Sequence, residues 1–334
     1  MPIKFAFLGA WHSHAVMHVR EAAERPDEIQ LLGMYDSDPA VISKNQERWK
    51  ELFSDIQVFP SAEAVLESDA EIVITEGHVY QNLDYAEMAL EAGKHVLLEK
   101  PAGVDLEQYR RIQDLSVRKG LRLHMAYMWR YSPAVHEILR LARLGVLGDI
   151  FYFRGHIPKR KSWHPELDSE FSVYEGGIYF EMAGHLVDIM VTLMGEPTEV
   201  HPVLRKHYGN RREVDNAVVV HEFESGLGTI DMAGMEIGMA RRIEVHGTGG
   251  TAINIGIGSP NLDLSLETAS EDYKEGWQEL KLERSPEFPS LLREIAACIR
   301  GEKEPDYSLG HDITVQQVLY AGCGIQGNSA LKEK

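Results

Sequence analysis

The sequence predicts an α/β protein: a doubly wound parallel sheet, followed by an α+β part built on a mostly antiparallel open sheet. Three observations carry that expectation. Over residues 1–125, short apolar runs without alternation recur between amphipathic stretches, the pattern of parallel strands covered on both faces. Beyond residue 126 strand follows strand, separated by turn sequences, as antiparallel sheets require. At 334 residues the chain is long enough to bury two cores. The expected domains are 1–125 and 126–334, with the functional crevice expected between them.

In chain order, the apolar runs Lys4–Leu8, Gln30–Tyr35, Ile72–Thr75, His95–Leu98 and Leu121–Met125 predict strands. Helical periodicity lies between them, at His14–Glu24, Pro39–Leu52, Leu83–Ala92 and Asp105–Lys119. Gly93 stands where a helix C-terminus needs a left-handed residue. In the second part, a helix (Ala134–Leu144) and a strand (Ile150–Arg154) precede an irregular stretch, Gly155–Tyr174. An unusually apolar helix, Gly177–Leu193, follows. Strands are expected from Thr198 to Leu282, with turns at Tyr208-Gly209-Asn210, Glu224-Ser225-Gly226 and Gly247-Thr248-Gly249-Gly250. Helices near Phe288–Arg300 and Asp312–Ile325 close the chain.

Composition narrows the function. The formal net charge of −18 argues against nucleic acid, which needs a basic footprint, and against anionic membrane surfaces. The two cysteines, Cys298 and Cys323, form no paired motif, so a reducing compartment is expected. The apolar run Phe5–Leu8 is too short for a signal-peptide core or a membrane span, which points to a cytoplasmic protein.

Gly9 follows the first strand, where a phosphate-binding turn belongs, and Ala10, Trp11 and His12 continue that loop. The usual G-x-G-x-x-G spacing would place glycines where Trp11 and His14 stand. Asp36 ends the second strand, where a carboxylate can accept from a ribose 2′-hydroxyl; its alternative is a turn carboxylate before Asp38-Pro39. Ser37 follows rather than an arginine, which favours NAD over NADP. The unit then reads as a Rossmann-type NAD domain. His12 and His14 are spaced as metal ligands can be, but no neighbouring cluster completes a set, so no metal is expected.

Three further features point to chemistry. Glu99-Lys100-Pro101 lies at the carboxyl end of a buried strand, the edge that faces ligands in open α/β sheets. An ammonium there can lower the pKa of a substrate hydroxyl or polarise a carbonyl. Glu181, His185 and Asp188 share one face of an otherwise apolar helix, costly unless they pair or act chemically. His185 suits proton transfer and Glu181 can orient it; an internal hydrogen-bond network is the alternative. Finally, Tyr127, Trp129 and Arg130, with Trp163 further on, suit the faces and hydroxyls of a sugar, or a packed seam.

Ala92-Gly93-Lys94-His95-Val96-Leu97-Leu98-Glu99-Lys100-Pro101 resembles the A-G-K-H-V-x-x-E-K-P signature of the Gfo/Idh/MocA oxidoreductases. Tyr131-Ser132-Pro133-Ala134 resembles the family's F-S-P-A segment. Glu175-Gly176-Gly177 through Glu181, His185 and Asp188 resembles its G-G-G-x-x-x-D-x-G-x-H-x-x-D segment in spacing, and Gly247-Thr248-Gly249-Gly250-Thr251 its G-T-x-G-T turn. The resemblance implies a catalytic Lys100 bridging nicotinamide ribose and substrate hydroxyl, and His185 as acid/base. Glu181 stands where the family usually has aspartate. Gly77-His78 replaces the usual Thr-Pro, and Asn82 a histidine, so Gly77, His78, Asn82 and Glu99 join the expected cofactor contacts; Asp188 joins the substrate contacts. The implied reaction is NAD-dependent oxidation of a secondary hydroxyl on a sugar, cyclitol or derivative. NAD-assisted glycoside cleavage by transient oxidation and elimination, or a non-catalytic NAD or sugar sensor, are the alternatives. The family also implies a homodimer or homotetramer through the C-terminal sheet.

Overall fold

A computed structural model describes residues 1–54, 56–159, 171–207, 214–238, 240–270, 272–283 and 290–331. The chain forms two compact units, Met1–Ala126 with Leu291–Leu309, and Tyr127–Ser290 with Gly310–Lys334. The first unit therefore includes a late helical segment that the expected division near residue 125 assigns to the second.

In the first unit, strands β1 (Ile3–Leu8), β2 (Ile29–Tyr35), β3 (Ile72–Thr75), β4 (His95–Leu98) and β5 (Leu123–Met125) form one parallel sheet, ordered β2-β1-β3-β4-β5. Every residue of β3 is buried, which is why its sequence carries no alternation. Helices α1 (Ala15–Glu24), α2 (Pro39–Trp49), α3 (Ala62–Leu66), α4 (Val79–Glu91) and α5 (Leu106–Lys119) connect the strands. Their starts are set by side-chain caps. Asp38 accepts the Ala40 amide at 2.8 Å, Ser61 the Ala64 amide at 3.2 Å and Asp105 the Gln108 amide at 2.8 Å. Helix α3 is too short to show periodicity, and its residues carried no expectation. Helix α4 begins one turn ahead of Leu83, because the Gln81 side chain accepts the His78 amide at 3.1 Å and holds the first turn. Gly93 takes φ 79°, and the Lys94 amide donates back to the Ala89 carbonyl at 2.9 Å.

The order reverses direction at β1, with β2 on one side and β3 on the other, so the ligand crevice of such a sheet opens at the carboxyl ends of β1 and β3. Gly9 and Gly77 meet there. Gly9 has φ +79°, and a Cβ on it would lie 2.6 Å from the Gly77 backbone nitrogen. Helix α9 (Leu291–Ile299, α7 and α8 being given below) belongs to this unit. His124 Nδ1 on β5 lies 2.8 Å from Glu294 Oε2 on α9, and the Gln113 amide donates to the Leu309 carbonyl at 2.9 Å. Burial would raise the Glu294 carboxyl, but His124 overcomes it and holds the group at about 2.

The second unit opens with a 3₁₀ turn (Met128–Tyr131) and α6 (Pro133–Arg143). Strand β6 runs Ile150–Pro158, past Arg154 and into the stretch from Gly155 that was expected to be irregular. Gly155 explains the extension: a Cβ on it would come within 2.7 Å of the Leu186 side chain. Helices α7 (Ile178–Met182) and α8 (Gly184–Met194) occupy the place of the single expected helix. The Ala183 amide bonds Tyr179 and the Val187 amide bonds Ala183, so the helical spacing carries across the join. Strands β7 (Glu199–Arg205), β8 (Asn216–Phe223), β9 (Gly226–Ala233), β10 (Arg242–Gly247), β11 (Gly250–Ile255), β12 (Asn261–Leu266) and β13 (Gly276–Lys281) complete the sheet, and α10 (Leu309–Gly322) follows. The order is β13-β12-β11-β10-β6-β9-β8-β7, antiparallel except where β6 meets β9. The expected turn Tyr208-Gly209-Asn210 lies outside the described residues. Among the described residues no helix is long and apolar enough to cross a membrane.

One core residue ties this sheet to pH. His221 on β8 is fully buried, and burial pushes its pKa down to about 4, with the Gly228 backbone pulling the other way. The unfolded chain takes up this proton near pH 6.5, whereas the folded one does so only near 4. Stability from a neutral His221 is therefore complete above about pH 6.5 and is lost as pH falls towards 4, by about 3 kcal/mol in all. Urea unfolding of wild type and His221→Phe at pH 7 and pH 4.5 checks this. The wild type should lose more between the two pH values; equal losses would rule the histidine out.

Candidate active site

In the first unit the carboxyl ends of β1, β3 and β4 deliver a buried set of charged side chains. Asp36, at the end of β2, is buried; its Oδ2 accepts the Ala10 amide at 2.8 Å and its Oδ1 the Asp38 amide at 2.9 Å. Each oxygen keeps a lone pair beyond these bonds. The Ala10 carbonyl in turn accepts from Asn45 at 2.7 Å, so the loop after Gly9 is held at both backbone groups. Trp11, at the position of the missing glycine, stacks on His78 at 4.3 Å, and His78 stacks on Tyr80 at 5.3 Å. Asn82 is fully buried, with no hydrogen bond to either amide atom among the described residues.

Lys100 follows β4 with only 1% of its surface exposed, and its Nζ lies 3.8 Å from Glu99 Oε1. The Lys100–Pro101 peptide is cis. Glu99 Oε1 also lies 2.9 Å from His14 Nδ1 and 3.5 Å from His12 Nδ1. Glu76, fully buried just beyond β3, lies 3.4 Å from His12 Nδ1 and 3.3 Å from His18 Nε2. Burial would raise the Glu76 carboxyl, but His12 and His18 overcome it and hold the group at about 2, ionised at neutral pH. Burial keeps the His14 imidazole below its ordinary value, with Glu99 pulling the other way; His18 goes up, because Glu76 outweighs the cost of burial.

In the second unit, Glu181 on α7 and His185 and Asp188 on α8 are all buried. The His185 ring lies parallel to Trp129 at 4.5 Å and edge-on to Tyr127 at 6.0 Å. Arg130 and Asp188, both expected among the substrate contacts, are joined to each other: Nε donates to Oδ2 at 2.9 Å and Nη2 to Oδ1 at 2.5 Å. Nη2 also donates to Asp312 at 2.9 Å, and His311 Nε2 lies 2.9 Å from Asp188 Oδ1. Burial opposes ionisation of both carboxyls. Arg130 and His311 overcome it at Asp188, whose pKa is lowered, but at Asp312 burial wins and the pKa is raised. Trp163 lies outside the described residues.

Sequence reasoning missed Glu76 and His18 in the first unit, and Arg241, His311 and Asp312 in the second. The Arg241 guanidinium lies 5.3 Å from the Trp129 ring centre; burial lowers its pKa and the Glu181 carboxylate works against that. The doublet Arg241-Arg242 ahead of β10 was the one available signal, and it does not say which arginine turns inward.

Comparison with known proteins bears on both units. Residues 3–127 match the family model described as the oxidoreductase family, NAD-binding Rossmann fold, and residues 135–253 match the GFO/IDH/MocA C-terminal domain. A scyllo-inositol 2-dehydrogenase (NAD(+)) of Bacillus subtilis (strain 168) is 28% identical over 250 residues, which is 71% of this chain and 69% of that protein. From the same organism, the scyllo-inositol 2-dehydrogenase (NADP(+)) IolW is 23% identical over 274 residues, 81% of this chain and 74% of the relative. Among solved structures, a levoglucosan dehydrogenase in complex with NADH and levoglucosan superposes with a TM-score of 0.81 at 17% identity, covering 97% of this chain and 98% of its own.

Proposed function

Because the chain belongs to the GFO/IDH/MocA family of NAD-binding oxidoreductases, dehydrogenases acting on CH–OH groups, we propose that it oxidises a secondary hydroxyl of a sugar, cyclitol or derivative, with NAD as hydride acceptor. The observation that carries this reading is the buried Lys100 beyond β4, in a sheet whose switch point is cleared of side chains by Gly9 and Gly77. The residues fit a dinucleotide. The missing Cβ atoms let a pyrophosphate approach the backbone, and Asp36 keeps lone pairs for a ribose hydroxyl. A carboxylate there repels a 2′-phosphate, which favours NAD over NADP. Gly9, Ala10, Trp11, His12, Gly77, His78, Asn82 and Glu99 complete the proposed cofactor contacts. NAD supplies the hydride acceptor; the chain supplies the rest.

Lys100 donates a hydrogen bond to the reacting hydroxyl and stabilises the developing alkoxide. His185 takes the hydroxyl proton, held by the parallel Trp129 ring. Glu181 steadies the imidazolium that forms. Tyr127 and Trp129 offer flat faces to the C–H surfaces of the substrate. Arg130 and Asp188, joined as they are, act as positioning residues under that aromatic wall.

We also propose a cytoplasmic homo-oligomer. Phe151, Val203, Val218, Leu227, Ile255 and Trp277, all on strands of the large sheet, are exposed, and a second copy would cover them.

Denaturing extraction of the purified protein, followed by titration with NAD and NADP and a panel of sugars and cyclitols, tests the reading. NAD binding with NADH formed on one class of polyol is expected. Retained NAD with bond cleavage and no net NADH would shift the reaction to elimination, and failure to bind either nucleotide would remove the dehydrogenase. Sedimentation of the same preparation as a monomer would remove the oligomer.

A further inference from the structure

The histidines of the first loop and the acids at the neighbouring strand ends form an arrangement that hydride transfer does not require. His12, His14 and Glu99 each turn one donor atom into a space where all three lie within 4.8 Å of one another. The measured edges are 2.9 Å from His14 Nδ1 to Glu99 Oε1 and 3.5 Å from His12 Nδ1 to the same oxygen. Ligands held about 2.0–2.1 Å from one tetrahedral ion stand about 3.3 Å apart, the middle of that range.

One hydrogen bond already reaches this cluster. The His14 amide lies 3.3 Å from His12 Nδ1. An amide can only donate, so that ring nitrogen already accepts one hydrogen bond, which a metal ion at His12 would displace. The same nitrogen faces Glu99 Oε1 at 3.5 Å and Glu76 Oε2 at 3.4 Å. Glu76 is fully buried, with His12 Nδ1 3.4 Å and His18 Nε2 3.3 Å from its oxygens. Two buried acids, Glu76 and Glu99, thus stand beside the first loop, where a divalent cation would join Lys100 and His18 as their counterparts.

The other clusters do not offer this. At Asp188, His311 and Asp312 the Arg130 guanidinium already hydrogen-bonds both carboxyls directly, whereas Lys100 Nζ stands 3.8 Å from Glu99. At His124, Glu294 and Cys298 the thiol is pushed up to about 12 by burial, and Glu294 already accepts the Asp306 amide at 3.0 Å. Glu199, His201 and Glu222 are fully exposed to solvent competition.

We propose that His12, His14 and Glu99 form a site for one first-row divalent metal ion of the zinc class, with Glu76 adding charge beside it. Two imidazoles and one carboxylate select zinc, cobalt, nickel or iron over magnesium or calcium. Three protein ligands leave a position open, as in sites where the ion meets substrate or water rather than serving only as a brace. The site shares His12 and Glu99 with the proposed cofactor contacts, so its test is made on the nucleotide-free protein.

The experiment uses the full chain, stripped with a chelator and titrated with zinc against a chromogenic indicator, then with cobalt by visible absorption, no nucleotide being present. One equivalent per chain is expected, with d–d bands of a low-coordinate N/O site. His12→Gln and His14→Gln should each weaken zinc binding at least about 100-fold. Zinc soaked into wild-type crystals should give an anomalous peak between His12, His14 and Glu99, a readout that needs no variant to fold. The absence of an equivalent of tight zinc or cobalt, unchanged binding in both folded variants, or an anomalous peak only at Glu199, His201 and Glu222 would overturn the site. Titration with NAD is separate, so loss of the metal site and loss of the dehydrogenase reading remain distinguishable.

Discussion

Replacing Lys100 by methionine is expected to lower kcat by about 10²–10⁴-fold while the Kd for NAD stays within about tenfold of wild type. Lysine at this position is buried, so its stem already packs against protein, and unbranched methionine keeps most of that contact. What disappears is the ammonium, the group proposed to donate to the substrate hydroxyl as its proton leaves. Stopped-flow NADH formation reports the chemical step, and fluorescence titration reports cofactor affinity. A variant that loses NAD affinity and turnover in equal measure would move Lys100 from catalysis to cofactor binding. One that keeps full turnover would remove it from both.

Replacing Arg130 by leucine is expected to cost the second unit about 3–5 kcal/mol at pH 7. The reason is what the substitution leaves behind. Asp188 and Asp312 are both buried, and Arg130 donates two hydrogen bonds to the first and one to the second. Without it, two carboxyls share an interior in which His311 Nε2 reaches Asp188 at 2.9 Å. Arg130→Lys should recover only part of the loss, because one ammonium cannot reproduce a planar fork across two carboxylates. The deficit of the leucine variant should also shrink on acidification, as the stranded carboxyls take up protons. Denaturant unfolding at pH 7 and pH 5 measures both effects. A loss below 1 kcal/mol would mean that the network is not stabilised by the arginine.

This network shows where sequence reasoning reaches its limit. Arg130 and Asp188 were both visible as charges among apolar neighbours, and each was expected to face a ligand. Their partner Asp312 sits at the start of another helix, and nothing in the local pattern couples it to them. The parallel strands were legible because a strand buried on both faces must be a continuous apolar run; Ile72–Thr75 and His95–Leu98 were located to the residue. Their lateral order was not, since it depends on which edge each crossover returns to. The same gap hid Glu76 and Glu99 from the H-x-H pair: the sequence separates them, and only the shared ends of β1, β3 and β4 bring them together. Strand β6 outran its expected end because Gly155 reads as a breaker, whereas its role is to admit Leu186.

The first unit does not end where its sheet ends. Its chain leaves at Ala126 and returns at Leu291, so Glu294 reaches His124 only after most of the protein has been made. On the ribosome, the five parallel strands must wait through synthesis of the second unit with β5 lacking its covering helix, a partly finished body that keeps apolar surface open to chaperones. A gene fragment that stops at residue 126 inherits that unfinished edge permanently. The nascent first unit is secured only as the closing helices emerge, which makes its completion one of the last events in the birth of the chain.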